Sequence, residues 1–339
     1  VLELERVVRP TATKRTHRPH TRTRDMAPIV AALAQRIAPA LAFAHAAFES
    51  LEPRVDTLAR WTSRLVTGAD DHAVAHPLFA YFYISLACNA GILLASLLLS
   101  RRILGAARFD GMKPHDRVTW HTNLCTFWPA FAVTAYALPA VVDFRGNPNS
   151  FASEVSTMTS KGCGMSIGYM MWDLGVILVR WEDQLKAYGG AGALYLFIAH
   201  HVFSILLWPY ALTRGLCAYH INYFLVSEVT NFNMSLRWIL SALKMSDTTL
   251  YLVNGLGWIP LFLSVRVAVI PRLFASFVGS DWSVFTPAQR WVALLTLPIP
   301  SMLNLYWSKK IVFGALKFLT TGEEPDLKTS PAKKKKKRN

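Results

Sequence analysis

Two stretches of this chain, residues 77–99 and 120–142, each run for 23 positions without a single Asp, Glu, Lys or Arg. Inside a bilayer every backbone polar group must be satisfied by the segment itself, and a helix of about 20 apolar residues achieves this across one hydrocarbon core. A third stretch, 163–179, contains only Asp173 and lies between Lys161 and Arg180 as flanking anchors. Four more follow: 191–213 with His200 and His201, 215–236 with Glu228, 248–270 with Arg266, and the uncharged 291–308, interrupted by Pro298 and Pro300. The expected fold is all-α, a multi-spanning transmembrane helix bundle of about seven helices. The fourth and fifth stretches meet at Arg214 and Gly215, as a tight hairpin or as one segment that dips and returns, so six spans stays open beside seven. At 53% hydrophobic and 17% charged residues, the composition excludes an ordinary soluble domain.

The formal net charge is +15, but Lys333–Arg338 supply six positive charges and residues 1–25 a net four, so ten sit at the two ends. No basic face for nucleic acid is expected over the body of the chain. Short loops rich in Lys and Arg favour the cytosol. The loop after the first span carries Arg101, Arg102, Arg108, Lys113 and Arg117, whereas residues 143–162 carry only Arg145 and Lys161. The first loop and the C-terminus are therefore expected to be cytosolic, an arrangement that seven spans give automatically and that puts residues 26–76 on the far side.

Residues 1–25, rich in Arg and Thr and without an apolar core, are read as an upstream or non-structural segment ahead of Met26, in preference to a transit peptide. Residues 26–76 form an N-terminal region in which Val55, Leu58, Trp61, Thr62 and Leu65, with Arg54, Arg60 and Arg64 between them, predict an amphipathic helix. It lies at the membrane interface or packs on the bundle. Residues 77–318 make the transmembrane domain, and 319–339 a disordered basic tail. The widely spaced Cys88, Cys125, Cys163 and Cys217 suggest neither a disulfide framework nor a metal site. Trp120, Trp128, Trp172, Trp181, Trp282 and Trp291 are read mostly as interfacial anchors.

Function is sought at the ionisable side chains within the apolar runs, because each costs on the order of 2.5–3.5 kcal/mol or more unless a partner or a role compensates. His200 and His201 point about 100° apart on a helix, so they address one spot only if it lies between their faces. A neutral imidazole there suits a proton shuttle, a general base or an interhelical hydrogen bond. Asp173 is expected to pair with a histidine of the next span, in a run whose Gly168 and Gly175 permit close helix approach. Glu228 and Arg237, nine positions apart, fall on opposite sides of one helix, which leaves Arg266 as the candidate partner of Glu228. The histidines lack a third ligand at short range, so no metal is expected.

The order of these residues resembles the TLC-domain membrane proteins: Gly168-Tyr169 with Asp173-Leu174, then His200-His201, then Glu228 with Arg237-Trp238, then Tyr251, Asn254-Gly255 and Arg266, then Asn304 to Trp307. The resemblance is closest to the small TLC-domain-containing branch and more distant to the ceramide synthases. In that branch a Pro follows the Glu, but here Asn231, Phe232 and Asn233 stand where Thr, Pro and Phe are expected, and Ser235 where Asn is expected, which removes the usual cause of a helix break. Ceramide synthases continue after the paired histidines with a His-Asp and a further Asp; here the sequence reads Tyr219, His220, Ile221, Asn222 and later Glu228.

What the resemblance implies is a multi-pass protein that binds or handles lipid and influences membrane lipid composition and homeostasis. Its lipid cavity would involve Tyr169, Asp173, His200, His201, Glu228, Arg237, Asn254 and Arg266. The alternative is an acyl-CoA-dependent N-acyltransferase of ceramide-synthase type, acting on a sphingoid base through His200 or His201. No cofactor is expected, acyl-CoA being a co-substrate only if the chain is an enzyme. Membrane lipids are the expected partners, with sphingoid base or ceramide among them. Lys336 and Lys337 near the end resemble a dilysine signal for return to the endoplasmic reticulum membrane through coat machinery, and the same lysine run also suits anionic headgroups.

Overall fold

Helix α2, Ala75–Leu104, and helix α5, Thr157–Val179, approach so closely that their backbones touch, and this contact organises the bundle. A Cβ on Gly164 would stand 2.1 Å from the Leu78 carbonyl oxygen, and one on Gly168 would stand 2.5 Å from that of Phe82. These two glycines, four positions apart, are the small-xxx-small pattern by which helices pack without side chains between them. Ser85 of α2 donates to the Met165 carbonyl across the same seam, at 2.8 Å. The expected Gly175 plays no part: it is exposed and nothing lies within 4 Å of where its Cβ would be.

These relationships come from a computed structural model that describes residues 39, 42–142, 151, 152 and 154–321. The expectations for residues 1–25 and for Lys336 and Lys337 concern residues outside these. Helix α1, Glu52–Thr67, runs across the boundary between a first unit, Val1–Arg54, and a second, Val55–Asn339, to which everything below belongs. After α2 come a short α3, Ala106–Asp110, then α4, Pro114–Val142, and α5, followed by the short α6, Trp181–Ala187. Next are α7, Ala191–Thr213; α8, Ala218–Val226; α9, Thr230–Ala242; α10, Thr249–Phe262; α11, Ile270–Gly279; α12, Pro287–Thr296; and α13, Pro298–Thr321. The described residues contain no strand, only an isolated bridge between Ala152 and Leu216.

Five helical stretches among the described residues are long and apolar enough to cross a membrane: α2, α4, α5, α7 and Thr249–Gly279, which joins α10 to α11. The chain is thus an all-α multi-span bundle. The other two expected spans are interrupted. Residues 215–236 break at a 3₁₀ turn, Ser227–Val229, and residues 291–308 break at Leu297 between α12 and α13. A count of seven therefore requires both broken segments to cross. Between α7 and α8 the chain reverses over Arg214–Cys217, with Gly215 at φ +68° and Cys217 at φ +58°.

Local chemistry sets the ends. Ser156 caps α5 by accepting from the Thr159 amide, Thr248 caps α10 through the Tyr251 amide, and Thr286 with Gln289 closes a reciprocal box on α12 behind Pro287. Two of the expected interfacial tryptophans are internal hydrogen-bond donors. Trp120 gives its indole N–H to Ser100 at 2.9 Å, and Trp128 gives its own to Asn89 at 3.1 Å, so both tie α4 to α2. All four cysteines are free thiols.

Helix α1 buries Ala59 and Ser63 and leaves Leu58, Trp61 and Leu65 exposed along one stripe. Thr62 and Tyr83 share a hydrogen bond of 2.7 Å, which fixes α1 to α2. Arg60 pairs with Asp56 and Asp71, and Arg64 with Asp70. The expected amphipathic helix is present, and its apolar stripe faces away from the bundle.

Candidate functional site

Arg266 is buried at 7% exposure on an irregular turn of the helix that joins α10 to α11. Over Leu263–Val267 the backbone widens to π-helical pairing, with the Ala268 amide donating to the Leu263 carbonyl at 2.8 Å. Such single-turn bulges insert an extra residue and recur at functional sites. A guanidinium in an apolar bundle must spend its donors, and Arg266 spends four of its five N–H groups among the described residues. Its Nε donates to the Thr230 hydroxyl at 2.8 Å and its Nη1 to the Asn304 side chain at 3.1 Å. Its Nη2 donates to the Ser227 carbonyl at 3.0 Å and to Asn231 at 3.3 Å. The counter-charge is Glu228, whose Oε1 stands 4.0 Å from Nη2, and whose Oε2 accepts from Asn231 at 2.7 Å.

The 3₁₀ turn Ser227–Val229 makes this possible. It breaks the run between α8 and α9 without the missing proline, and the Ser227 carbonyl accepts from Arg266 as well as from the Thr230 amide and hydroxyl. Two irregular turns thus face each other, one carrying the acid and one the base.

His200 and His201 have ring centroids 5.5 Å apart and different surroundings. His201, buried at 5% exposure, shares a hydrogen bond of 2.9 Å between Nε2 and Asp173 Oδ2, and its Nδ1 has no hydrogen-bond partner among the described residues. Among the described residues His200 instead makes only ring contacts, to His201 and edge-on to Trp307 at 6.2 Å. It faces a narrow crevice with Glu228, Arg266, Asn304 and Trp307 in the wall. At rest the free interior admits about one water molecule.

Of the eight residues expected around one cavity, His200, Glu228 and Arg266 line this cleft. Asp173 and His201 are paired behind His200 and are absent from its wall. Tyr169 bonds Thr126 of α4 at 3.0 Å. Arg237 lies over the Tyr251 ring at 4.1 Å, where a Cβ on Gly255 would come within 2.7 Å of its Nη1. Asn254 exchanges two hydrogen bonds with Asn233, each 2.9 Å. Arg237 and Asn254 therefore join α9 to α10 and do not reach the cleft. Among the described residues no three His, Cys, Asp or Glu side chains converge as metal ligands would.

Sequence reading passed over Ser227, Asn231 and Thr230 as Arg266 ligands, and it named Asn304 only as part of a motif. The available signal was a neutral polar residue inside an otherwise apolar run: Asn304 is the only amide in 291–308. The residues from Tyr219 to Asn222 have structural partners. His220 bonds Ser276 at 2.6 Å and stacks on Phe151, while Asn222 bonds Thr159 at 3.0 Å.

Residues 119–312, the stretch that carries every one of these groups, match the family model of the TLC domain. The chain belongs to the TLC-domain family. Its similar relatives include TLC domain-containing protein 4-B of Danio rerio, 27% identical over 164 residues, which are 46% of this chain and 58% of that protein. TLC domain-containing protein 4-B of Xenopus laevis is 24% identical over 65% of this chain and 82% of its own length. TLC domain-containing protein 4 of Homo sapiens is 26% identical over 66% and 83% respectively. The chain thus spans less than two thirds of the Danio rerio protein and more of the other two. No solved structure matches it. In this TLC domain the matched region begins at the foot of α4, so α1 and most of the α2 seam lie ahead of it.

Proposed function

We propose that this TLC-domain protein binds a membrane lipid at the His200–Glu228–Arg266 cleft and so influences the lipid composition of its membrane. The observation that supports this reading is the cleft itself: a salt-bridged pair and an unpaired imidazole inside an apolar bundle, next to a surface of exposed apolar side chains. Burying charged groups in hydrocarbon is costly, and a role in recognising a polar head accounts for keeping them there. The family name carries no ligand, so the lipid class rests on the site alone.

We place the protein in the endoplasmic reticulum membrane with its C-terminus in the cytosol. Lys336 and Lys337 would engage coat machinery there, and the basic loop around Arg101 and Arg117 would share that side.

The second reading is N-acyl transfer from acyl-CoA to a sphingoid base, and the Asp173–His201 hydrogen bond favours it, since a carboxylate orients an imidazole for proton transfer. The amine nitrogen would attack the thioester carbonyl, an imidazole would take the amine proton, the C–S bond would break, and the thiol would leave with that proton. The oriented His201 is not in the cleft wall and the cleft-facing His200 has no acid partner among the described residues, so binding without turnover is the first reading.

Purified protein in nanodiscs, offered sphingoid base and acyl-CoA of several chain lengths, separates the two. N-acylated product that vanishes on His201→Ala or on His200→Ala establishes the second. For the first, cells carrying the His200→Ala, Glu228→Gln variant should show an altered lipid profile at unchanged protein level. An unchanged profile removes the lipid reading.

A further inference from the structure

The corner where α2 turns through α3 into α4 holds cations that nothing balances. In helix α1, Arg60 and Arg64 are each engaged by an acid. Residues 101–117 instead carry five Lys and Arg side chains against two Asp. Arg101 takes Asp110, at 2.8 Å from its Nη2, and Asp116 lies 3.6 Å from His115. Arg102, Arg108, Lys113 and Arg117 therefore have no acid partner among the described residues. The first three are exposed, and so is Ile103 beside them.

A buried polar network adjoins these cations. Trp120 donates its indole N–H to Ser100 at 2.9 Å, the Ser100 and Ser96 hydroxyls are 3.1 Å apart, and Ser96 is 2.6 Å from His121 Nδ1. Indole can only donate, so the arrangement that uses every hydrogen runs from Trp120 through Ser100 and Ser96 to His121 Nδ1. The imidazole proton then sits on Nε2, for which the described residues supply no acceptor. Arg117 lies one turn before His121 on the same face of α4. Its Nε is enclosed without a hydrogen-bond partner among the described residues, so its guanidinium can turn towards an anion without giving up a bond there. Two other charges bear on this pair and both are engaged: Asp110 by Arg101, and Arg180 by Asp183 at 2.6 Å. Phe109 of α3 packs edge-on to the His121 ring, with centroids 5.8 Å apart, and the neighbouring Arg108 stays outside.

We propose that this corner seats the headgroup of a membrane lipid bearing a phosphomonoester, the group shared by phosphatidic acid and the phosphorylated inositol lipids. Arg117 and the Nε2–H of His121 are the inner donors, and Arg102, Arg108 and Lys113 are the outer charges. A phosphomonoester brings a charge of about −1.5 to −2 and three strong acceptor oxygens, which suits several unpaired cations and a spare imidazole donor. A headgroup with its own ammonium, as in phosphatidylserine, would set a like charge among those cations. Ile103 offers the acyl chains an apolar neighbour. The seat shares no residue with the His200 cleft and does not rest on the reading given to that cleft.

The test is native mass spectrometry of the full chain released from phosphatidylcholine nanodiscs that contain phosphatidic acid, phosphatidylinositol 4-phosphate or phosphatidylserine at equal total headgroup charge. Nanodiscs present lipid on both faces, so the result is independent of orientation. One or both phosphomonoester lipids should be retained at least about tenfold more than phosphatidylserine, as expected where charge-assisted hydrogen bonds favour one ligand and a like charge opposes the other. Arg102→Gln with Arg108→Gln should lower that retention about tenfold. Lys309→Gln with Lys310→Gln removes two exposed charges elsewhere and should leave it unchanged. Arg117→Gln should reduce the preference over phosphatidylserine several-fold, and so should His121→Asn, which keeps an acceptor for Ser96 and deletes the Nε2 donor. The exposed pair serves if these inner variants do not fold. Equal retention of phosphatidylserine overturns the proposal, and so does an equal loss in the two paired variants. Retention that disappears in the His200→Ala, Glu228→Gln variant also overturns it, because the lipid then lies in the cleft.

Discussion

His201 on α7 and Asp173 on α5 are joined by a hydrogen bond of 2.9 Å, and the two side chains are among the most enclosed ionisable groups of the bundle. This bond fixes the rotation of α7 about its axis. With His201 turned to α5, the next residue back must face the cleft, and His200 does. Asp173→Asn keeps a partner for the imidazole, whereas Asp173→Ala leaves it without one. Asp173→Ala should destabilise the protein by about 1–3 kcal/mol, and Asp173→Asn by less, in reversible denaturation from detergent micelles. Equal, negligible losses for both would show that the bond does not orient α7.

The glycine seam gives a sharper contrast. Gly164→Ala sets a methyl 2.1 Å from the Leu78 oxygen and must push α2 and α5 apart, at a cost of about 1–3 kcal/mol or more. Gly175→Ala meets open space and gains helix propensity, so it should be neutral or stabilising by up to about 1 kcal/mol. Thermal unfolding of the two variants side by side checks the order.

At the cleft, charge alone does not replace geometry. Arg266→Lys keeps the cation but cannot reach Thr230, Asn304 and Ser227 together, and it should cost about 2–4 kcal/mol. Arg266→Met should cost more, about 3–5 kcal/mol, because Glu228 is left buried without a counter-charge. Adding Glu228→Gln to Arg266→Met should recover part of that loss. A double-mutant cycle on stability measures the coupling, and additive losses would mean that the two charges act independently.

Acid should loosen helix α1 before the bundle. A hydrogen bond from Arg60 holds Asp56 below the usual carboxylate range, and one from Arg64 does the same for Asp70. A group whose folded value is depressed stabilises the fold above its unfolded value, near 3.8 here, and loses that contribution as pH falls through the lower folded value. Hydrogen exchange of residues 55–66, corrected for intrinsic rate, should therefore be unchanged from pH 7 to 5 and faster below about 4. High salt should act in the same direction, since these pairs are exposed.

The apolar stripe of α1 carries its own prediction. Leu58, Trp61 and Leu65 are exposed on a helix bonded to α2 near the start of a long apolar helix, and an interfacial role for α1 would put them at the headgroup boundary. A spin label at position 61 or 65 should sit below the headgroups in depth measurements in nanodiscs, and one at 64 should report water.

Much of the architecture could be read directly from the residues. Apolar run length marked all five long helices, because hydrophobicity summed over 20 positions is a local property that the bilayer acts on irrespective of neighbours. The same reading singled out the ionisable residues inside those runs, the partner class for Asp173, and Arg266 for Glu228, since a charge in hydrocarbon has few permitted companions. Family membership was legible too, through the order of polar residues along the chain. Only the folded arrangement decided the rest. Gly164 joined Gly168 as a contact glycine where Gly175 did not, the break at Ser227–Val229 formed without proline, and His200 was parted from His201 in its surroundings. Each of these depends on how far a helix is rotated and where it crosses its neighbours, and those angles arise from packing among residues dozens of positions apart, which no window of sequence contains.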